Sequence, residues 1–267
     1  MHIFLSLLII FSMGGNMQKD EDFVQPAGYP HKIEVTIIYD NNPFDDRLKT
    51  DWGFSCLIKG LEKTILFDTG GDGEVLMNNM KKLKIDPADV DVVFLSHEHW
   101  DHAGGLKSFL EHNHNIVVYL LPSFPASIKN SIKNAGAEVI ETANSMSLCE
   151  RVTSTGKLGT AIDEQSLVLE TENGLVIITG CAHPGIVDIV RHVKKNLEQK
   201  IYMVFGGFHL GGTSDSELKS IITRFREMKV EKVGPCHCSG DRCRELFADE
   251  YKENFVDIGV GKIIEFQ

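Results

Sequence analysis

The sequence predicts a layered α/β fold in which sheets are covered by helices, and three observations carry that expectation. Short apolar runs rich in Val and Ile recur along the chain, and helical stretches with a single apolar face fall between several of them. Hairpin-like and strand-helix-strand connections are mixed within both halves. A helix with one apolar stripe must bury it, and sheets built from such runs are the cover on offer.

The folded domain is expected over residues 31–267, beginning near His31 after the polar stretch Gln18 to Asp22 and the Pro26-Ala-Gly-Tyr-Pro30 punctuation. Strands are expected at Ile33 to Tyr39, Phe54 to Ile58 and Thr64 to Phe67, followed by a helix over Glu74 to Leu83 and a strand at Val92 to Leu95. Further strands are expected at Ile116 to Leu120, Ala137 to Ile140, Ser166 to Glu170, Leu175 to Thr179, Ile201 to Phe205 and Lys232 to Gly234. Two helices read clearly. Ile186, Ile189, Val190, Val193 and Leu197 share one face, as do Leu218, Ile221, Ile222, Phe225 and Met228, with Ser214 and Glu217 spaced as a capping box. Asp40 to Asp51 and Thr142 to Ala161 read as loops that shape a pocket. Glu62 to Gly70 and Asn173 to Cys181 echo each other as a hairpin and strand ending in a polar loop, which suggests two related halves.

With 267 residues, 42% of them hydrophobic, the chain can bury one sizeable core. Its 27 basic and 38 acidic side chains give a formal charge of -11. That balance disfavours a general electrostatic grip on nucleic acid or anionic lipid, and the expected partner is a small molecule. Six cysteines at uneven spacing do not describe a disulfide scaffold. Residues 1–22 stand apart: the run Ile3 to Phe11 followed by Ser12-Met-Gly-Gly15 resembles the h-region and cleavage site of a secretory signal, and is too short to span a bilayer. Read as a signal it implies export; read as an apolar tail it leaves the chain cytoplasmic.

The chemistry concentrates at Ser96-His97-Glu98-His99-Trp100-Asp101-His102, directly after an apolar strand. In an extended segment residues two apart face the same way, so His97 and His99 can converge on one ion. Asp101 and His102 then begin a turn toward a second position. Neutral imidazoles and a carboxylate suit zinc, iron or manganese, and two such ions ~3.5–4 Å apart can clamp an attacking and a leaving oxygen.

The pattern His97-x-His99-x-Asp101-His102, with Phe67-Asp68-Thr-Gly70 upstream, resembles the signature of the metallo-β-lactamase superfamily. Tyr39-Asp-Asn-Asn-Pro43, Gly53-Phe-Ser55, Thr179-Gly-Cys-Ala-His183-Pro-Gly185, Gly206-Gly-Phe-His-Leu210 and Cys236-His-Cys-Ser-Gly240 further resemble its dihydropterin ribofuranosylaminobenzene phosphate synthase-like branch. The resemblance implies a four-layer αββα sandwich with a metal site on one edge of the two sheets, two zinc ions, or iron or manganese in their place, and attack by a metal-activated hydroxide. It implies His97, His99, Asp101, His102, His183 and His237 as ligands, with Asp101 also orienting the nucleophile. The usual histidine upstream of Gly180 is absent, leaving Cys181, Asp163 or Glu164 to take its place.

Two histidines, His209 and His237, compete for the closing position. The path through Gly206-Gly207, one helix and a further strand resembles the superfamily's route to its last ligand, which favours His237. Cys236 and Cys238 are expected to point away from the site in an extended segment, and His209 to sit at the rim, binding substrate or moving a proton. Cys236-His-Cys238-x4-Cys243 also permits a rival reading as a structural zinc or iron-sulfur site. Neither a phosphate-binding Gly-Lys-Ser/Thr loop nor a Gly-x-Ser-x-Gly elbow is present. The expected function is hydrolysis of a small substrate, phosphorylated or not. The alternatives are a pterin-branch transferase with a diphosphate leaving group, or a non-catalytic metal-binding protein.

Overall fold

A computed structural model describes residues 32–267. The expected domain start at His31 and the apolar run of residues 1–22 lie outside the described residues. Thirteen strands form two sheets among the described residues. In the first, β1 (Ile33–Tyr39), β2 (Ser55–Lys59), β3 (Ile65–Phe67), β4 (Val92–Phe94), β5 (Val117–Leu120) and β6 (Glu138–Glu141) lie side by side in chain order, with β13 (Ile263–Phe266) on the outer edge beside β1. The second runs β12 (Lys232–Cys236), β11 (Ile201–Gly207), β10 (Gly174–Thr179), β9 (Leu167–Thr171), β8 (Val152–Ser154) and β7 (Met146–Cys149).

The sheets face each other across one apolar layer, in which Phe54, Phe67 and Phe94 of the first half meet Val176, Ile178 and Phe205 of the second. Helices α1 (Gly73–Lys82), α3 (Leu106–Leu110) and α4 (Ala126–Ala135) cover the outer face of the first sheet. Helices α5 (Ile186–Leu197), α6 (Asp215–Glu227) and α7 (Asp241–Tyr251) cover the other. The result is the expected αββα order, with each one-sided helix burying its stripe. In α5 the buried side chains include Ile186, Ile189, Val190 and Val193, and in α6 Leu218, Ile222 and Phe225. The Ser214 side chain caps α6 by accepting from Glu217 N–H, as its spacing predicts.

Two expectations about local structure need correction. Thr142 to Ala161 is not a plain loop, because β7 and β8 form an antiparallel pair within it at the end of the second sheet. The turn after His99 is a short helix, α2 (Trp100–Ala103), so Asp101 and His102 project from helical backbone. No helix among the described residues is long and apolar enough to cross a membrane.

Strand direction places the site. In the first sheet β3, β4 and β5 run parallel, and in the second β10, β11 and β12 do. Parallel neighbours end on the same edge, so the loops leaving β3, β4, β10, β11 and β12 gather there, outside the strands' carboxyl ends. The two groups of loops touch: a Cβ on Gly180, after β10, would lie 2.1 Å from Ser96 Oγ, after β4. Only a residue without a side chain permits that approach.

Candidate metal centre

His97 leaves β4 fully buried, and α2 follows within three residues. Backbone bonds clamp α2 to neighbouring loops: Thr69 N–H and its hydroxyl both donate to His102 O, at 2.7 and 3.0 Å, and Phe54 N–H donates to Asp101 O at 3.3 Å. These contacts fix the Asp101 and His102 main chain without using either side chain. Both side chains turn inward, and both residues are buried.

Two clusters form around one sulfur. In the first, His99 Nδ1 lies 3.1 Å from His97 Nε2 and 3.2 Å from His183 Nε2, and His97 and His183 join Cys181 in a group whose ligand atoms all lie within 4.8 Å of one another. In the second, Asp101, His102, Cys181 and His237 form such a group. There His102 Nε2 stands 3.1 Å from Cys181 Sγ, and His237 Nε2 stands 3.2 Å from Asp101 Oδ2. His97, His99, Asp101, His102, His183 and His237 are thus brought together, and Cys181 sits between the two clusters. Of the residues weighed for the missing histidine, Cys181 alone offers its side chain to the clusters. Asp163 pairs with Lys157 at 3.1 Å.

The polar atoms suit a cation better than they suit one another. Several imidazole nitrogens converge with few hydrogens to share, and buried His237 Nε2 has no hydrogen-bond partner despite the nearby Asp101 oxygen. A lone pair aimed at a common point beside a carboxylate is what a metal ligand presents. The far nitrogens are held from outside. His102 Nδ1 pairs with Asp68 Oδ2 at 2.7 Å, His237 Nδ1 donates to Asn41 Oδ1 at 2.9 Å, and His97 Nδ1 lies 2.9 Å from Ser96 Oγ. Each partner fixes the tautomer that leaves Nε2 free toward the centre. Asp68 is itself anchored by Ser96, whose N–H and hydroxyl donate to it at 2.7 Å each.

Electrostatics follow from burial. Desolvation, with the neighbouring imidazoles adding to it, holds His97 and His102 well below the usual histidine range, and brings His183 to about 4. Neutral imidazoles are the form that binds metal. Burial works to raise Asp101, but the imidazoles that face it, His237 at 3.2 Å and His102, outweigh it and keep the carboxyl below its ordinary value. Burial pushes Asp68 up against the opposing hydrogen bonds of Ser96. The adjacent Cys238 thiol, then burial, pushes Cys181 up.

Trp52 and Asn41 were not foreseen as site residues, and Glu164 takes a different role from the ligand position weighed for it. Glu164 is fully buried and accepts from Cys181, Ala182 and His183 N–H at 2.9, 2.8 and 2.8 Å, so it shapes the ligand loop rather than replacing a ligand. Half-exposed Trp52 donates its indole N–H to Asp101 Oδ2 at 3.1 Å. The sequence offered no periodicity that links Asn41 to His237, 196 positions away; only the fold makes them neighbours.

The Cys236-to-Cys243 group does not form a separate site. The Cys236 thiol is buried beside Asp40, and Cys243 packs in the apolar layer under α7. The expectation that Cys238 points away is also wrong. His237 adopts a left-handed backbone, φ 48°, at the start of a 3-10 turn, so side-chain directions do not alternate there. Cys238 instead brings its Sγ to 3.3 Å from Cys181 Sγ. His209, also left-handed at φ 53°, is exposed and belongs to neither cluster built on the β4 loop.

With this geometry in view, the comparisons are specific. Residues 53–237 match the family model of the metallo-β-lactamase superfamily. The chain belongs to that superfamily. It is 31% identical to 7,8-dihydropterin-6-methyl-4-(β-D-ribofuranosyl)-aminobenzene-5'-phosphate synthase of Methanocaldococcus jannaschii, over 85% of this chain and 92% of that one. Among solved structures it is similar to Tm1679, a metal-dependent hydrolase of the β-lactamase superfamily, at 29% identity and TM-score 0.73, covering 87% and 98% of the two chains. Human tRNase Z, short form, shares the superfamily fold at 13% identity and TM-score 0.60, over 88% and 99%.

Glu164 gives a pH-dependent prediction. Burial, opposed by the three N–H donors, raises its carboxyl from 4.5 to about 7. A raised folded value means the contribution to stability is complete below pH ~4.5 and is lost as pH rises through ~7, an effect of about 3 kcal/mol. Glu164→Gln cannot ionise. It carries a constant cost from presenting an amide to one N–H, but the pH-dependent loss disappears. Denaturant unfolding of chelator-treated protein from pH 4.5 to 7.5 should therefore show the gap between variant and wild type shifting in the variant's favour with rising pH. A constant gap would refute the reading.

Proposed function

We propose that the protein is a metal-dependent enzyme that hydrolyses a small substrate, phosphorylated or not, at the clusters built around Cys181. The observation that carries this is the convergence of His97, His183, Asp101, His102 and His237 on that thiol, with His99 against His97 and His183, at one edge of both sheets. When bound, a pair of divalent cations, zinc in first place or iron or manganese, supplies Lewis-acid charge stabilisation and makes water acidic enough to act near neutrality. In the first cluster, His97, His99 and His183 would hold one cation; Asp101, His102 and His237 would hold the other, with Cys181 shared. Asp68, Asn41 and Ser96 fix ring orientation, and Glu164 holds the Cys181–His183 loop. Asp101 presents its carboxylate toward the reacting position, steadied by the Trp52 indole. Exposed His209, raised above the ordinary histidine value by its hydrogen bond to Cys238, stands at the rim as a proton donor or anion contact. Similarity to a metal-dependent hydrolase of the same superfamily supports this reading.

A second reading is favoured by one observation: a synthase matches over 92% of its own length. Under it, the same clusters position a diphosphate leaving group for transfer. Purified protein is expected to hold about two transition-metal ions per chain, measured by elemental analysis after reconstitution. Phosphodiester, lactone and thioester substrates, assayed with and without chelator beside a diphosphate-release assay on a ribosyl donor, separate the two readings. Diphosphate release without panel hydrolysis favours transfer, and absence of any metal after reconstitution refutes both.

A further inference from the structure

Cys181, His209 and Cys238 form a third group of ligand atoms, all within 4.8 Å of one another, that the paired clusters do not use in full. Two sulfurs and one imidazole make the softest donor set among these three groups of the described residues, whereas the group containing Asp101 includes a hard oxygen. Soft thiolates select thiophilic ions. The position is also made accessible: His209 is exposed and Cys238 is half-buried. Room for the Cys238 sulfur comes from Gly207, where a Cβ would lie 2.7 Å from Sγ and 2.3 Å from Gly180 O. The loops are fixed to one another, since Ser239 Oγ accepts from Phe208 N–H at 3.0 Å and Thr179 Oγ1 donates to Gly207 O at 2.8 Å. Those bonds fix the loop that carries His209 against the turn that carries Cys238.

We propose that Cys181, His209 and Cys238 are a third cation position, selective for a thiophilic ion such as cadmium or monovalent copper, which competes with the paired centre for the single Cys181 thiolate. Binding forms two metal–sulfur bonds and one metal–nitrogen bond, and each thiol releases its proton to solvent. No electron transfer is involved. The competition rests on the paired-centre reading given above; the position itself does not. An ion held here draws Cys181 out of the shared position, so thiophilic cations suppress the activity of the paired centre.

The test uses the full chain, reconstituted with zinc and kept in a non-thiol reductant, with cadmium added stepwise while thiolate-to-cadmium absorption is recorded. Wild type is expected to show a two-thiolate band. Cys238→Ser should lose about half the absorbance per bound cadmium and bind it at least tenfold more weakly. His209→Ala should keep the band and weaken binding. With zinc alone, wild type and Cys238→Ser should hold the same number of ions. An unchanged cadmium band in Cys238→Ser overturns the proposal. So does loss of a zinc equivalent in that variant, which would place Cys238 in the paired centre. If zinc never binds but the cadmium band and its dependence on Cys238 remain, the paired-centre reading fails while the third position stands.

Discussion

Asp101→Ala should lower turnover by about a thousandfold or more, equivalent to ~4 kcal/mol of lost transition-state stabilisation, while the fold persists. Asp101 supplies the only carboxylate oxygen in the cluster with His102, Cys181 and His237. Under the proposed function, its loss removes a ligand and the group that faces the reacting position. The structural cost is small, because α2 is held by main-chain bonds from Thr69 and Phe54, and the half-exposed Trp52 indole can turn to water. Steady-state kinetics on whichever panel compound the wild type turns over, with metal content and a thermal midpoint measured in parallel, decides the matter. Wild-type turnover in a variant with its full metal complement would show that Asp101 has no part in the chemistry.

The second large effect separates two histidines. His237→Ala should lose one metal equivalent and with it nearly all activity, because His237 Nε2 is buried, lacks a hydrogen-bond partner and faces Asp101 at 3.2 Å. His209→Ala should keep both zinc ions and turn over more slowly, by roughly 100-fold, the lower end of what loss of a general acid or base costs. Its exposed ring touches the centre only through neighbours, lying 4.4 Å, centroid to centroid, from the His183 ring. Elemental analysis of the two purified variants reads the difference. Loss of zinc from the His209 variant with retention in the other would reverse the assignment.

The central strands were legible because strands covered on both faces are continuous apolar runs; β1 matches its expected span residue for residue, and β4 and β10 differ only at their ends. What escaped notice lacked that signal. β7 and β8 carry Ser147, Thr153 and Ser154 in short segments at the sheet's end. Helix α4 buries only Ile132 fully, so its sequence shows no stripe. Helix α7 did carry one, Cys243, Phe247 and Tyr251 at four-residue spacing, but Cys243 drew the eye toward a metal motif instead of a helix face. At the site, the histidine run was legible because its candidate ligands fall within six positions, His97 to His102. Asn41, Trp52, Ser96 and Glu164 act on residues that only the tertiary fold brings to them, or through contacts without a motif. The direction of Cys238 was misread for a local reason, since left-handed His237 breaks the alternation on which the inference relied.

Because the clusters draw His97, His99, Asp101 and His102 from loops of the first sheet and Cys181, His183 and His237 from loops of the second, any bound cation is also a rivet through both halves of the molecule. A ligand that binds only the folded chain adds RT ln(1 + [L]/Kd), about 2.7 kcal/mol at a hundredfold excess over Kd. The seam between the sheets at this edge would then be as firm as the free metal concentration around the protein allows, and scarcity of the ion would loosen the architecture along with the chemistry.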